Sequence, residues 1–178
     1  YAGLMQKLIR GWRSHWEQGD FPFLLMQLVN QELPPNQRPW DFAALRAAQQ
    51  SIVDSVSNTG MAVGIDIGMG WNGHPPNKQD VGRRLALVAL KQVYGSDIVA
   101  AGPRLDSVRF NRETVTLCIE PGGSTPQLVL KSSIPSGFEL AGEDARFIPA
   151  SAVLRGNTIE LSATDVDQPV AVRYAWAN

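Results

Sequence analysis

The sequence predicts an α/β segment over residues 1–102 followed by a small antiparallel β-sandwich over residues 103–178. Three observations carry that prediction. The first hundred residues alternate between helical and strand-like apolar patterns, the order expected of a parallel sheet. Past Gly102-Pro103 the chain becomes a series of short β-branched or alternating runs divided by turn residues. Between the last strand-like run of the first part and its last helix lies a glycine-rich loop presenting one histidine, His74.

Residues 1–18 read as a helix, with Tyr1, Leu4, Met5, Leu8, Ile9, Trp12 and Trp16 on one apolar stripe. That stripe is expected in the core, and His15 lies off it beside Arg13 and Glu17. Gly19 and Asp20 end the helix. Residues 21–29 (FPFLLMQLV) form a short apolar run bounded by turn residues, as in a strand buried on both faces. The polar segment 30–39 carries three prolines and reads as a loop, placed beyond a strand end where it would rim a cleft. Residues 40–57 form a second helix that buries Phe42, Leu45, Ala48, Ile52, Val53 and Val56.

The strand that follows is read as 60–67, in which Met61, Val63, Ile65 and Ile67 alternate with small or acidic residues. After His74, Pro75 and Pro76 cannot continue a strand. Asn77 is a good N-cap, and Asp80 three residues on makes a capping-box-like pair. The third helix runs to about Tyr94, with Gly95 as its stop. In the second part, strands are read at 108–110, 114–119, 127–131, 138–140, 158–161 and 170–176.

Composition narrows the function. The 178 residues carry a net charge of −1 and no cluster of basic side chains, which argues against nucleic acid or an anionic membrane as partner. No apolar run approaches the roughly 18 residues that cross a bilayer. A chain opening on Tyr1 and a helical pattern displays no signal peptide, which leaves export neither shown nor excluded. The single cysteine, Cys118, forbids an internal disulfide and reads as a small buried hydrophobe. One Cys and two His do not make a zinc site of ordinary ligand count, so neither metal nor organic cofactor is expected.

The stretch NTGMAVGIDIG (58–68) followed by HPPNKQDVGRRLAL (74–87) resembles the histidine block of the sialate O-acetylesterase family, within the SGNH-hydrolase superfamily. The resemblance covers nearly the whole chain but only the C-terminal part of that family's architecture. It implies a flavodoxin-like parallel sheet, of which residues 1–102 are the C-terminal part, with the sandwich following. It also implies a serine esterase that releases acetate from O-acetylated sugars, either sialic acids or plant polysaccharides, in a periplasmic or secreted setting.

By the same resemblance His74 is the general base, taking a proton from a serine hydroxyl. Relatives often carry an aspartate two or three residues before the histidine; here those positions hold Asn72 and Trp71. Asp66 matches an acidic position of the motif and is the candidate orienting acid; a strand-end aspartate binding loop N–H groups is the alternative. Asn72 offers a side-chain oxygen to the ring. Trp71 is read either as a sugar-stacking residue or as a loop anchor, while Asp80, Arg83 and Arg84 are assigned to capping and a solvated face.

No serine here lies in a G-x-S-x-G elbow or in the family's G-Q-S-N type of block. The resemblance places that serine, and the glycine and asparagine of the oxyanion hole, upstream of Tyr1. The expectation is therefore a C-terminal piece held against an N-terminal fragment that carries the nucleophile, separated by nicking at an exposed loop. The rival reading is a non-catalytic carbohydrate-binding or interaction module, which the β-rich tail, the five tryptophans and the absent serine would fit.

Overall fold

The computed structural model describes residues 1–32, 41–70, 72–122 and 127–178. In chain order the elements are α1 (Ala2–Trp16), β1 (Phe23–Met26), α2 (Phe42–Ser55), β2 (Thr59–Ala62), α3 (Lys78–Gln92), β3 (Arg104–Phe110), β4 (Thr114–Glu120), β5 (Phe138–Ala141), β6 (Ile148–Pro149), β7 (Ser151–Arg155), β8 (Thr158–Ser162) and β9 (Ala171–Tyr174). The fold is α/β, with one parallel pair and two antiparallel sheets. The chain divides into two compact units, Tyr1–Ala101 with Ala177–Asn178, and Gly102–Trp176. No helix is long and apolar enough to cross a membrane among the described residues.

In the first unit β1 and β2 pair in parallel, with Phe23 opposite Thr59 and Met26 opposite Ala62. Alternation along β1 sends Phe23 and Leu25 to one face, where they meet Ile9 of α1 and Ile52 and Val56 beyond it. The helix α3 also packs on the pair, with Val88 as its buried residue. Its first turn is closed as its residues predict. The Asn77 side chain accepts the N–H of Asp80 at 3.1 Å and donates to the Asp80 carboxylate at 2.8 Å. This arrangement satisfies a backbone donor that an α-helix leaves orphaned. In α2 the cap is Asp41, whose carboxylate accepts the Ala44 N–H at 2.8 Å.

Several expectations are corrected here. The stripe on α1 is not a core stripe: Ile9 is buried, but Leu4 is 75 % exposed and Trp16 is 53 % exposed. The buried polar residue of α1 is Arg13, whose guanidinium donates to the carbonyls of Phe21, Ser57 and Asn58 at 2.8–3.2 Å. It thereby clamps the chain just before β1 and just before β2. On α2 the buried line is Ala43, Arg46, Gln49 and Ile52, not the purely apolar one. Gln49 accepts the N–H of Leu28 at 2.8 Å and donates to the Met26 carbonyl at 3.2 Å, taking the place of a strand partner past the end of β1.

The strand read at 60–67 ends at Ala62. A side chain replaces the ladder there, since Gly64 N–H donates to Gln27 Oε1 at 3.2 Å. The backbone then turns, with the Ile67 N–H on the Gly64 carbonyl. Ile67 is buried within that turn, which explains why the alternation outlasts the strand.

In the second unit one sheet runs β3-β4-β8-β7 and the other β6-β5-β9, every pairing antiparallel. Their facing sides share one core of Val115, Leu117, Phe138, Leu140, Ala152, Ile159 and Leu161. The two-residue turn Gly156-Asn157 joins β7 to β8, and Gly156 supplies the positive φ, +59°, that a tight hairpin of this kind requires. The run 127–131 is not a strand; Val129 is 80 % exposed, and the Leu128 N–H is tied to Asn157 Oδ1 at 2.9 Å. In its stead Ser151–Arg155 forms a strand, recruited because it completes the hairpin against β8. Cys118 in β4 is a free, half-buried thiol.

Candidate active site

Two loops emerge from the carboxyl ends of the parallel pair, 27–32 after β1 and 63–74 after β2. Ligands of α/β sheets bind at such ends. The loops are joined along their length by main-chain and side-chain hydrogen bonds. Asn30 Oδ1 accepts the N–H of Gly68 at 2.8 Å, and the Glu32 N–H donates to the Gly70 carbonyl at 2.8 Å. Position 68 must be glycine for this contact, because a Cβ there would stand 1.8 Å from the Asn30 carbonyl oxygen. The second loop then folds back in a tight turn in which the Asn72 N–H reaches the Met69 carbonyl at 2.9 Å.

His74 closes this loop. It is exposed, while Pro75 directly after it is buried and starts the approach to α3. Its backbone N–H donates to Asn72 Oδ1 at 2.8 Å. The side-chain oxygen of Asn72 is thus spent on the main chain of His74 and not on the imidazole. The imidazole makes no hydrogen bond to another side chain among the described residues. Trp71 lies outside the described residues, as does most of the proline-bearing loop expected at the rim of the cleft.

Asp66 sits in the same loop with its two carboxylate oxygens on Arg84 of α3, Oδ1 at 2.5 Å from Nη1 and Oδ2 at 2.7 Å from Nη2. Arg84 Nη1 also donates to the Val63 carbonyl at 2.8 Å. This bidentate pairing, with the Asp66 hydrogen bond as its main cause, raises the already high Arg84 pKa. The solvated role expected of Arg84 is therefore corrected: it staples the loop to the helix that follows. Asp80 and Arg83 behave as expected, an exposed i, i+3 pair at 3.1 Å on the first turn of α3.

Sequence reasoning missed the supporting residues Asn30, Gln31, Glu32 and Arg84. Nothing in their spacing signals the contacts, all of which cross between separate segments. Neither loop contains a serine, threonine or cysteine, so the two offer an imidazole and no hydroxyl or thiol of these residue types. No group of three or more His, Cys, Asp or Glu side chains suited to a metal ion occurs among the described residues.

No protein-family model and no curated protein sequence matches the chain. Among solved structures it is similar to the crystal structure of a carbohydrate acetylesterase from Xanthomonas citri, with a TM-score of 0.88 and 34 % identity. The likeness covers 99 % of this chain and 41 % of that one, so the chain spans less than half the length of the protein it matches.

Proposed function

We propose that this chain is part of a carbohydrate O-acetylesterase of the sialate O-acetylesterase type within the SGNH hydrolases, and that His74 is its general base. The observation that carries the reading is the exposed His74 on a braced loop beyond the carboxyl ends of β1 and β2, in a chain similar throughout to a carbohydrate acetylesterase. In the reaction a serine hydroxyl attacks the acetyl carbonyl while His74 accepts its proton. The tetrahedral intermediate collapses as His74 returns that proton to the departing sugar oxygen, leaving an acetyl-serine. Water, deprotonated by His74, then releases acetate and restores the serine. Asp66, bound to Arg84, is proposed as the acid that orients His74, with a Ser–His dyad as the alternative, and Asn72 and Trp71 as substrate-binding residues.

The serine and its oxyanion hole are assigned to an N-terminal fragment of the same enzyme docked on the first unit. Two features support that assignment. The strands β1 and β2 pair only with each other among the described residues, leaving both outer edges open. Trp12, Trp16 and Phe21 form a stacked apolar surface, with ring centroids 5.7 Å and 5.4 Å apart, of which both tryptophans are substantially exposed. In this reading the first unit forms the end of the hydrolase domain and the second, Gly102–Trp176, an accessory sandwich. An exported enzyme, periplasmic or secreted, belongs to the same reading on the resemblance alone.

The test is acetate release from acetylated oligosaccharides by the intact protein and by His74→Ala. The substitution is expected to lower kcat by about 10³-fold or more while sugar binding persists. Retained hydrolysis in His74→Ala would overturn the assignment. An intact-mass spectrum under denaturing conditions, showing whether a second polypeptide accompanies this one, checks the divided site. Sugar binding by a wild-type protein that releases no acetate would bring forward the binding-module reading.

A further inference from the structure

We propose that Asn178 is a positioning residue for the loop that carries His74. Ala177 and Asn178 belong to the first unit, and they enter it beside the same loop that braces the candidate site. Three bonds hold them. Asn178 Oδ1 accepts the Phe42 N–H at 3.0 Å, one of the donors left over at the start of α2. The main-chain oxygen of Asn178 accepts the Gln31 N–H at 3.2 Å. Arg46, buried on α2, donates from Nη2 to the Ala177 carbonyl.

The other side of the Asn30–Glu32 segment faces the His74 loop. Asn30 holds the Gly68 N–H, Glu32 holds the Gly70 carbonyl, and the Gln31 side chain lies over Gly73, with Oε1 3.0 Å from where a Cβ would stand. Tail, first loop and second loop therefore form three successive layers. Gln31 is the shared rung, with its N–H on the Asn178 oxygen and its side chain against Gly73, the residue before His74. Burial of Arg46 adds to the case. Its Nη1 finds no hydrogen-bond partner among the described residues, so the bond from Nη2 to the Ala177 carbonyl is one of few that offset the burial of this guanidinium. Loss of the Asn178 side chain removes the anchor on α2 and loosens the carbonyl that receives Gln31. The effect passes to Gly68–His74 and not to α3, whose cap and Arg84 staple are independent of the tail.

The activity arm of the test rests on the esterase reading; the exchange arm does not. In the intact protein, Asn178→Ala is expected to speed amide hydrogen exchange across residues 68–74 about fivefold, with α3 and the strands of the second unit unchanged. Asn178→Asp, which keeps an oxygen for the Phe42 N–H, should restore wild-type exchange. Acetate release by Asn178→Ala should fall about tenfold in kcat at an unchanged KM. Unchanged exchange at 68–74, or acceleration spread equally over α1, α2 and α3, would overturn the proposal. So would faster loop exchange with wild-type kcat. A wild-type protein that releases no acetate defeats the esterase reading, and the exchange comparison still decides the tether.

Discussion

The two units of this chain keep themselves together by different means. In the second, seven buried apolar residues from both sheets form one core, and Val115, Leu140 and Leu161 have no exposed surface at all. In the first, the clustered buried apolar side chains among the described residues are Ile9, Ile52 and Val56, with Met5, Phe23 and Leu25 packed against them. Much of the remaining cohesion comes from side chains that reach main-chain groups: Arg13 at the strand entrances, Gln49 beyond β1, and Arg46 on the tail. The contrast teaches that two facing sheets can be held largely by a close-packed apolar layer between them. A small parallel pair, with many strand ends and loops to satisfy, needs polar side chains inside. Both units leave large apolar side chains exposed, among them Trp12 and Trp16 in the first and Phe110 and Tyr174 in the second.

The comparison is broken most severely by emptying the closed core. Leu161→Ala should cost about 3 kcal/mol, seen as a fall in the denaturant midpoint of the second unit. A loss under about 1 kcal/mol would mean that the two sheets collapse around the void, and that the core is looser than its burial implies. Breaking the polar device of the first unit should cost somewhat less. Arg13→Met keeps the aliphatic stem but leaves the carbonyls of Phe21, Ser57 and Asn58 without their donor. We expect a loss of about 2 kcal/mol, with exchange rising first at the starts of β1 and β2. If Arg13→Met were neutral, water would be serving those carbonyls and the contrast between the units would shrink.

The smallest effect concerns pH. The Asp80 carboxyl is held below the usual aspartate range, chiefly by its hydrogen bond to Asn77 and then by Arg83. A lowered folded-state value means that the contribution is complete above the ordinary value of about 3.9. It fades as the pH falls through the folded-state value, where the native carboxylate is protonated. Amide exchange in the first turn of α3 should therefore rise on acidification below that range. Asp80→Asn should abolish the dependence while keeping much of the cap. An identical acid response in Asp80→Asn would place its origin elsewhere. Because the pair is exposed, the effect on global stability is slight.

Much of the fold was legible because its signals are local. The Asn77 and Asp80 cap, the extents of the three helices to within a few residues, and the Gly156-Asn157 turn follow from neighbours in the chain. Periodicity misled where a pattern had no partner to meet. Residues 127–131 read as strand-like but pair with no strand among the described residues, and the stripe on α1 is amphipathic but only partly covered. Of the candidate site, His74 could be singled out from the residues around it, and Asp66 from the family resemblance. Their immediate surroundings could not: Arg84 was read as solvated and is bound to Asp66, and Asn72 was offered to a ring and serves a backbone N–H.

By itself the sequence determined where helices begin and end, which segments are strand-like, and that one histidine stands in a glycine-rich loop beyond a strand. These rest on torsional preference, capping and spacing, which act over a few residues. Only the tertiary structure decided which polar side chains go inside and what they hold. Arg13 reaches Asn58 across 45 residues, Arg84 reaches Asp66 across 18, and Asn178 meets Phe42 across 136. A buried arginine or glutamine has the same local signature as a solvated one. Its place is set by main-chain donors and acceptors that become its neighbours only when the chain has folded and shut out water.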